Sequence, residues 1–222
     1  MNERDFSPVS LSAEGLTLSR GPHVLVRELA LKAKPGDAIQ LTGRNGAGKT
    51  TLLRALAGFV QPDAGHVHLS SNAQQARPED VLAWLGHADG IKPGETPRQA
   101  LAFWARVYGV DPNRLRPALD HLGMYALIDR AAARMSRGQQ RRCGLARIWM
   151  SERPIWLLDE PVGPLDQSGR DRLAWLVSEH RARGGIVITA THQVLDWPNA
   201  QRIDLNALDG AKPVSIVDGV DG

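Results

Sequence analysis

The spacing of hydrophobic and polar positions changes period several times along the chain. Apolar runs at 16–18 and 24–31 read as early strands, followed by a turn signal at Pro35-Gly36. The next run, A-I-Q-L-T at 38–42, reads as a short buried strand that ends in a glycine-rich loop. From Lys49 the pattern becomes helical, with Leu52, Leu53, Leu56 and Ala57 on one face and Gly58 as the stop. After about residue 87 the texture is helical for a long stretch. Thr96 before Pro97 is an N-cap with proline in the first turn, and Leu101, Phe103, Trp104 and Val107 recur at helical spacing up to Tyr108. Further helices are predicted over 112–122 and after Ser136. Strands return at 155–158 (I-W-L-L) and 186–189 (I-V-I-T), with a helix over 167–182 between them. The end of the sequence, D-G-V-D-G, reads as a weak strand and a frayed tail. This alternation predicts the α/β class in a single domain over 1–222: residues 1–87 and 151–222 as the α/β core, 88–150 as a mostly helical insert.

Composition narrows the picture without deciding it. At 222 residues, 42% hydrophobic and 23% charged, the chain has the makings of a substantial core, which excludes global disorder. Cys143 is the only cysteine, so no intrachain disulfide forms; a reducing compartment suits it, and the thiol reads as a small buried hydrophobe. The first ten residues carry Glu3, Arg4 and Asp5 and lack the apolar stretch of a signal peptide. No run of about 18 apolar residues occurs, so any action on a membrane requires another chain to supply the spans. The net charge is only +3, yet Arg134, Arg137, Arg141, Arg142 and Arg147 crowd one stretch. Phosphates, an anionic surface and a plain solvated helix face are all open readings of that cluster. His66 and His68 alternate on a strand; a solvent-facing edge accounts for them better than a metal or haem site, which needs further ligands. Trp84, Trp149, Trp156 and Trp175 are assigned to the core. Phe103, Trp104 and Tyr108 either join them or line a groove for a membrane partner.

Two segments carry chemistry. Residues 43–50, G-R-N-G-A-G-K-T, match the phosphate-binding pattern G-x-x-x-x-G-K-[ST]. Gly43, Gly46 and Gly48 let the backbone turn its N–H groups toward phosphates, with Arg44, Asn45 and Ala47 completing the loop. The following helix adds its positive end, Lys49 a point charge and the Thr50 hydroxyl a Mg²⁺ ligand, and Thr51 closes the nucleotide-binding set. The second segment, I-W-L-L-D-E at 155–160, is an apolar strand ending in two carboxylates. Beside a phosphate loop, Asp159 is placed to help hold Mg²⁺, and Glu160 to act as general base on the attacking water.

The order of further fragments identifies a family. M-S-R-G-Q-Q at 135–140 precedes the acidic strand, and P-L-D at 164–166 and T-H-Q at 191–193 follow it. The whole series closely resembles the ABC-transporter ATPase domains. That resemblance implies a P-loop NTPase fold with an antiparallel β subdomain and an inserted helical subdomain, and ATP with Mg²⁺ as cofactors. Ser136, Gly138 and Gln139 match the signature, implied to cap the nucleotide of a second subunit in a head-to-tail homodimer. Asp166 matches the aspartate linking the two sites, and His192 the switch histidine that steadies the attacking water. At the family's Q-loop glutamine the chain reads W-L-G-H-A-D-G, which puts His87 there, and near the family's adenine-stacking aromatic it has Arg20. L-G-H-A-D-G-I-K at 85–92, with G-Q-Q-R-R and T-H-Q, resembles the cytochrome c maturation branch of the family. This implies a haem-transporting class of translocase, peripheral on the cytoplasmic face of the bacterial inner membrane. The implied partners are a CcmB-like membrane subunit with CcmC, CcmD and the haem chaperone CcmE, and no nucleic acid. Haem export and release of haem-loaded CcmE are both open as the work done. A soluble assembly ATPase, another transporter's ATPase and a nucleic-acid switch are the alternatives; a GTPase is disfavoured because no Asn-Lys-x-Asp guanine reader is present.

Overall fold

The computed structural model describes residues 5–111, 116–208 and 215–216. In chain order its elements are β1 (Val9–Arg20), β2 (His23–Ala33), β3 (Ala38–Thr42), α1 (Lys49–Leu56), β4 (Ala64–Ser71), β5 (Gln74–Gln75), α2 (Pro78–Val81), β6 (Leu82–Leu85), α3 (Pro97–Tyr108), α4 (Arg116–His121), α5 (Arg137–Met150), β7 (Ile155–Asp159), α6 (Gln167–Ala182), β8 (Ile186–Ala190), β9 (Gln201–Asp204) and β10 (Ser215–Ile216). They form two sheets. One, in the order β10-β2-β1-β4-β5, is antiparallel except where β10 runs parallel to β2. The other, β6-β7-β8-β3-β9, is parallel throughout.

The parallel sheet follows from its sequence. Its inner strands β7 (I-W-L-L-D) and β8 (I-V-I-T-A) are nearly all apolar and buried at every residue, which a sheet covered on both faces requires. Side chains along β7 alternate between two cores. Ile155 and Leu157 pack with Leu52, Leu53 and the antiparallel sheet, whereas Trp156 and Leu158 pack with residues of α3, α4, α5 and α6. The early strands are longer than the apolar runs at 16–18 and 24–31 suggest. V-S-L-S-A at the start of β1 buries Val9, Leu11 and Ala13 while its serines stay half-buried, a period-two signal of a one-sided strand.

The helical segment between β6 and β7 begins at the predicted cap. The Thr96 hydroxyl accepts from the Gln99 N–H, and the Gln99 side chain accepts from the Thr96 N–H. The predicted helix over 112–122 is seen as α4, residues 112–115 lying outside the described part, as do 209–214 and 217–222 of the predicted tail. Two core assignments are corrected. Phe103 is 52% exposed, because α3 buries Pro97, Ala100, Leu101 and Ala105 and Phe103 falls on the opposite face. Trp175 is 41% exposed, its ring inclined by 29° to Trp149 and 31° to His121 at centroid separations of 6.0 and 3.8 Å. Trp156 is buried as expected, and Cys143 is too, its thiol pushed up to about 12 by desolvation and therefore inert. His66 and His68 are both exposed on β4.

His180, on α6, is a buried base. Its ring stacks on Trp156 at 3.8 Å, meets Phe6 edge-on at 5.0 Å and donates through Nε2 to the Pro154 carbonyl at 3.1 Å. Gly185 runs so close to the ring that no Cβ fits there. Desolvation pulls the His180 pKa down to about 3, with the backbone hydrogen bonds opposing weakly. The folded state thus refuses a proton that the unfolded chain takes up near pH 6.5. The stabilisation is complete above that pH and is lost on acidification toward 3, at no more than about 1.4 kcal/mol per pH unit. Denaturant titrations at pH 7, 6, 5 and 4 should show this loss, and His180→Asn should remove the part that one proton accounts for. An unchanged slope in that variant would assign the acid sensitivity elsewhere.

Candidate active site

Three loops leave the carboxyl ends of the neighbouring strands β3, β8 and β7 at one level. Leu41 and Asp159 both register with Ala190, so residues 43–50, 159–160 and 191–192 emerge side by side. The loop after β3 has left-handed backbone at Gly46 and Gly48, φ 87° and 95°. At Gly48 a Cβ would lie 3.0 Å from the Leu25 side chain. The helix α1 then starts at Lys49 with no side-chain cap, leaving its first N–H groups for an anion. The buried Lys49 ammonium donates to the carbonyls of Gly43 at 2.8 Å and Arg44 at 3.1 Å. The Asn206 side chain accepts from the Arg44 N–H at 3.0 Å and ties the loop to the end of β9.

Asp159 is almost wholly buried and accepts from the Thr50 hydroxyl at 3.0 and 3.1 Å on its two oxygens. Desolvation raises its pKa, with Glu160 adding to the rise and the Thr50 bond, His87 and Arg141 opposing it. A hydroxyl beside a carboxylate is a hard oxygen donor pair, the chemistry Mg²⁺ prefers when phosphate oxygens complete its shell. Glu160 adopts φ 46°, a left-handed conformation that costs a non-glycine residue roughly 1–2 kcal/mol. Its N–H stays on the Ala190 carbonyl at 2.8 Å while its carboxylate reaches the next loop. There Oε2 accepts from His192 Nδ1 at 2.9 Å. With Nδ1–H so used, His192 Nε2 is the acceptor and takes the Gln193 amide N–H at 3.3 Å.

A cavity of about 700 Å³ brings together Asn45, Gly46, Gly48, Lys49, Thr50, Thr51, His87, Glu160 and His192. Gly43 and Arg44 lie on its flank, in a neighbouring opening shared with His192. Arg20 and Leu25 also line it, and among the described residues no Phe, Tyr or Trp does. Of the arginine cluster, Arg137 and Arg141 line it as well, with Asp89 beside Arg141, whereas the serine, glycine, glutamine and second aspartate of the later motifs do not. The Ser136 hydroxyl caps α5 by accepting from the Gln139 N–H, and the Gln139 side chain returns a bond to the Ser136 N–H. Asp166 caps α6, accepting from the Gly169 N–H at 2.8 Å. Neither pair, nor Gly138, lines the cavity of its own chain.

The arginine cluster is corrected in part. Arg141 and Arg147 are 4% and 7% exposed and turn inward, while Arg142 donates to the Leu122 carbonyl; Arg134 and Arg137 stay exposed. Arg141 pairs with Asp89 at 3.0 Å, and Arg147 donates to the Trp84 carbonyl at 2.9 Å. Reading the chain as charge runs missed Asp89 altogether. The available signal was Gly144, a glycine inside a helix: a Cβ there would lie 3.0–3.2 Å from Leu85 and Asp89. Among the described residues, no three His, Cys, Asp or Glu side chains gather as a metal-ligand set.

The ABC transporter family profile matches residues 26–163, more than half of the chain. The chain is 56% identical over 203 residues to the cytochrome c biogenesis ATP-binding export protein CcmA of Maricaulis maris, covering 91% of this chain and 95% of that one. A CcmA of Haemophilus influenzae is 39% identical over 207 residues, with coverage of 91% and 98%. Among solved structures, an ABC transporter ATP-binding protein of Pyrococcus furiosus superposes with a TM-score of 0.77 at 22% identity, over 90% of this chain and 98% of that one.

Gly138 packs so closely that a Cβ would lie 2.8 Å from the Pro164 carbonyl oxygen. Gly138→Ala should therefore push the start of α5 away from the loop after Glu160, at a cost of about 1–3 kcal/mol. Calorimetry should show a melting temperature lower by roughly 2–12 °C for a chain of this size. A melting point equal to that of the parent would mean that Pro164 yields freely.

Proposed function

This chain belongs to the ABC transporter family, and on that premise we propose that two copies act together on a membrane partner in cytochrome c biogenesis. The chain is an ATP-binding and ATP-hydrolysing transporter subunit, and cytochrome c biogenesis is the process it serves. The observation that carries the chemistry is the meeting of Lys49, Thr50, Glu160 and His192 at one cavity. On nucleotide binding, the Lys49 ammonium exchanges the Gly43 and Arg44 carbonyls for phosphate oxygens, and the free N–H groups of α1 receive the same charge. Glu160 accepts a proton from the attacking water as its oxygen bonds to the γ-phosphorus. The bond to the bridging oxygen breaks, leaving ADP and phosphate. His192 holds the Glu160 carboxylate through Nδ1–H, which orients the base. Mg²⁺, held by Thr50 and Asp159, supplies neutralisation of the phosphate charge when bound.

The pairing of two copies is supported by what the cavity lacks. Ser136, Gly138 and Gln139 stand at the start of α5 at the rim of the cavity, outside its lining although Arg137 between them lines it, and in this reading they meet a second copy's nucleotide. In this reading Asp166 joins the two sites, and residues 88–150 act as the insert that carries the signature. No helix among the described residues is long and apolar enough to cross a membrane, so the partner supplies the spans. A groove of about 620 Å³ between Trp84 and Trp104 offers a docking place, with the exposed Phe59 stacked edge-on against Trp84. We place the chain at the cytoplasmic face of the bacterial inner membrane, against a CcmB-like subunit and in concert with CcmC, CcmD and CcmE.

Glu160→Gln should retain ATP binding, slow hydrolysis by at least about 100-fold and accumulate as a dimer. Turnover near the parent rate would remove Glu160 from the role of base. Lys49→Ala should lose ATP binding in a fluorescent-nucleotide titration, and undiminished binding would refute the phosphate-loop assignment. Tagged Glu160→Gln, captured with ATP from detergent-solubilised membranes, should bring down a CcmB-like protein identifiable by mass spectrometry. Capture of soluble partners alone would leave the ATPase standing without its proposed membrane complex.

A further inference from the structure

His87 is the exposed tip of a segment that is otherwise gripped. It follows β6, and it lines both the nucleotide cavity and the adjoining groove beside Trp104. On either side of it the backbone and side chains are held by one helix. Arg141 NH1 donates to the Gly86 carbonyl at 2.9 Å and pairs with Asp89 Oδ1 at 3.0 Å, so a single nitrogen brackets His87 from the residue before it to the second residue after it. One turn later on α5, Gly144 lets the helix backbone rest against Leu85 and Asp89. Two turns later, Arg147 bonds the Trp84 carbonyl at 2.9 Å, covers the Trp104 ring at 4.6 Å and packs against Gly90. Residues 84, 85, 86, 89 and 90 are thus fixed by α5, while His87 and Ala88 are exposed.

The chemistry of the bracket points past simple packing. Both partners of the Arg141–Asp89 pair are nearly buried, with side chains 5% and 11% exposed. Asp89 Oδ1 and Arg141 Nε make no aligned hydrogen bond among the described residues, so the contact is a charge pairing. Desolvation accordingly pushes Asp89 up and Arg141 down, the mutual attraction only partly offsetting it. Apolar residues of similar volume often hold two elements together at equal or lower cost; here one Arg141 nitrogen meets both the Gly86 carbonyl and Asp89, a geometry that apolar packing would not specify.

We propose that Arg141 is a positioning residue for His87: by bridging Gly86 and Asp89 it sets where the imidazole stands against the nucleotide. The proposal rests on the reading of His87 as a working group of the nucleotide site. It makes the start of α5, at Ser136, and the His87 loop one rigid unit.

The test is a double-mutant cycle on the full-length chain, with kcat, KM for ATP and melting temperature measured for each variant. Arg141→Met and His87→Ala should each lower kcat about tenfold or more with little change in KM. The double variant should turn over no slower than His87→Ala alone, although its melting temperature falls by the full Arg141→Met decrement. Arg141→Lys, which keeps the charge but loses the bridging geometry, should recover stability without recovering kcat. If kcat losses multiply in the double variant, Arg141 acts independently of His87 and the proposal fails. If His87→Ala alone hydrolyses ATP normally, the reading of His87 itself falls, and the positioning role with it. Should Arg141→Met not fold, Asp89→Asn enters the same cycle with the same expectations.

Discussion

The site depends on a shared register. β3, β8 and β7 are parallel neighbours, and Leu41, Ala190 and Asp159 stand level across them. Because the strands run in one direction, the phosphate loop, the histidine loop and the acidic pair must emerge at the same edge and on the same side. Slipping β7 by one residue would exchange Trp156 and Leu158 with Ile155 and Leu157 between two differently shaped cores, which packing forbids. Thr50 can reach Asp159, and His192 can reach Glu160, only while that register holds. The hydrophobic alternation of one short strand therefore fixes polar distances in a cavity that the strand itself barely enters.

Buried charge is concentrated around this edge. Asp159 is desolvated and leans on Thr50, and Arg141 and Asp89 lie nearby in an enclosed pair. Each would be expensive alone, and each is held by neighbours from a different element. Glu160 adds backbone strain, since its left-handed turn separates its carboxylate from that of Asp159. Two adjacent acids thereby do different work: one faces a hydroxyl on α1, the other a histidine beyond β8.

How much of this was legible in the sequence varied with the kind of signal. The phosphate loop, the acidic strand and the Thr96 cap were readable because each is a local pattern whose physics is complete within a few residues. The three inner strands of the parallel sheet, β3, β7 and β8, were readable because burial on both faces leaves nearly unbroken apolar runs, whereas the edge strands β6 and β9, half-buried and in β9 polar, left no such run. Phe103 and Trp175 misled because an aromatic residue satisfies a helical stripe in the sequence whether or not anything covers it. The inward turn of Arg141 was hidden for the opposite reason. Its partner Asp89 lies more than fifty residues away, and charge density alone cannot tell an exposed arginine from a buried one. Gly144 was the trace left in the sequence by that close approach.

The uncapped start of α1 has a consequence for the life of the protein in the cell. The N-cap of α1, Gly48, has no side chain to accept from the first N–H groups, and a bound anion would supply that missing partner. Since only the native chain offers this socket, ligand occupancy draws the folding equilibrium toward it by mass action. Lifetime against proteolysis then rises and falls with the ratio of nucleotide to its dissociation constant.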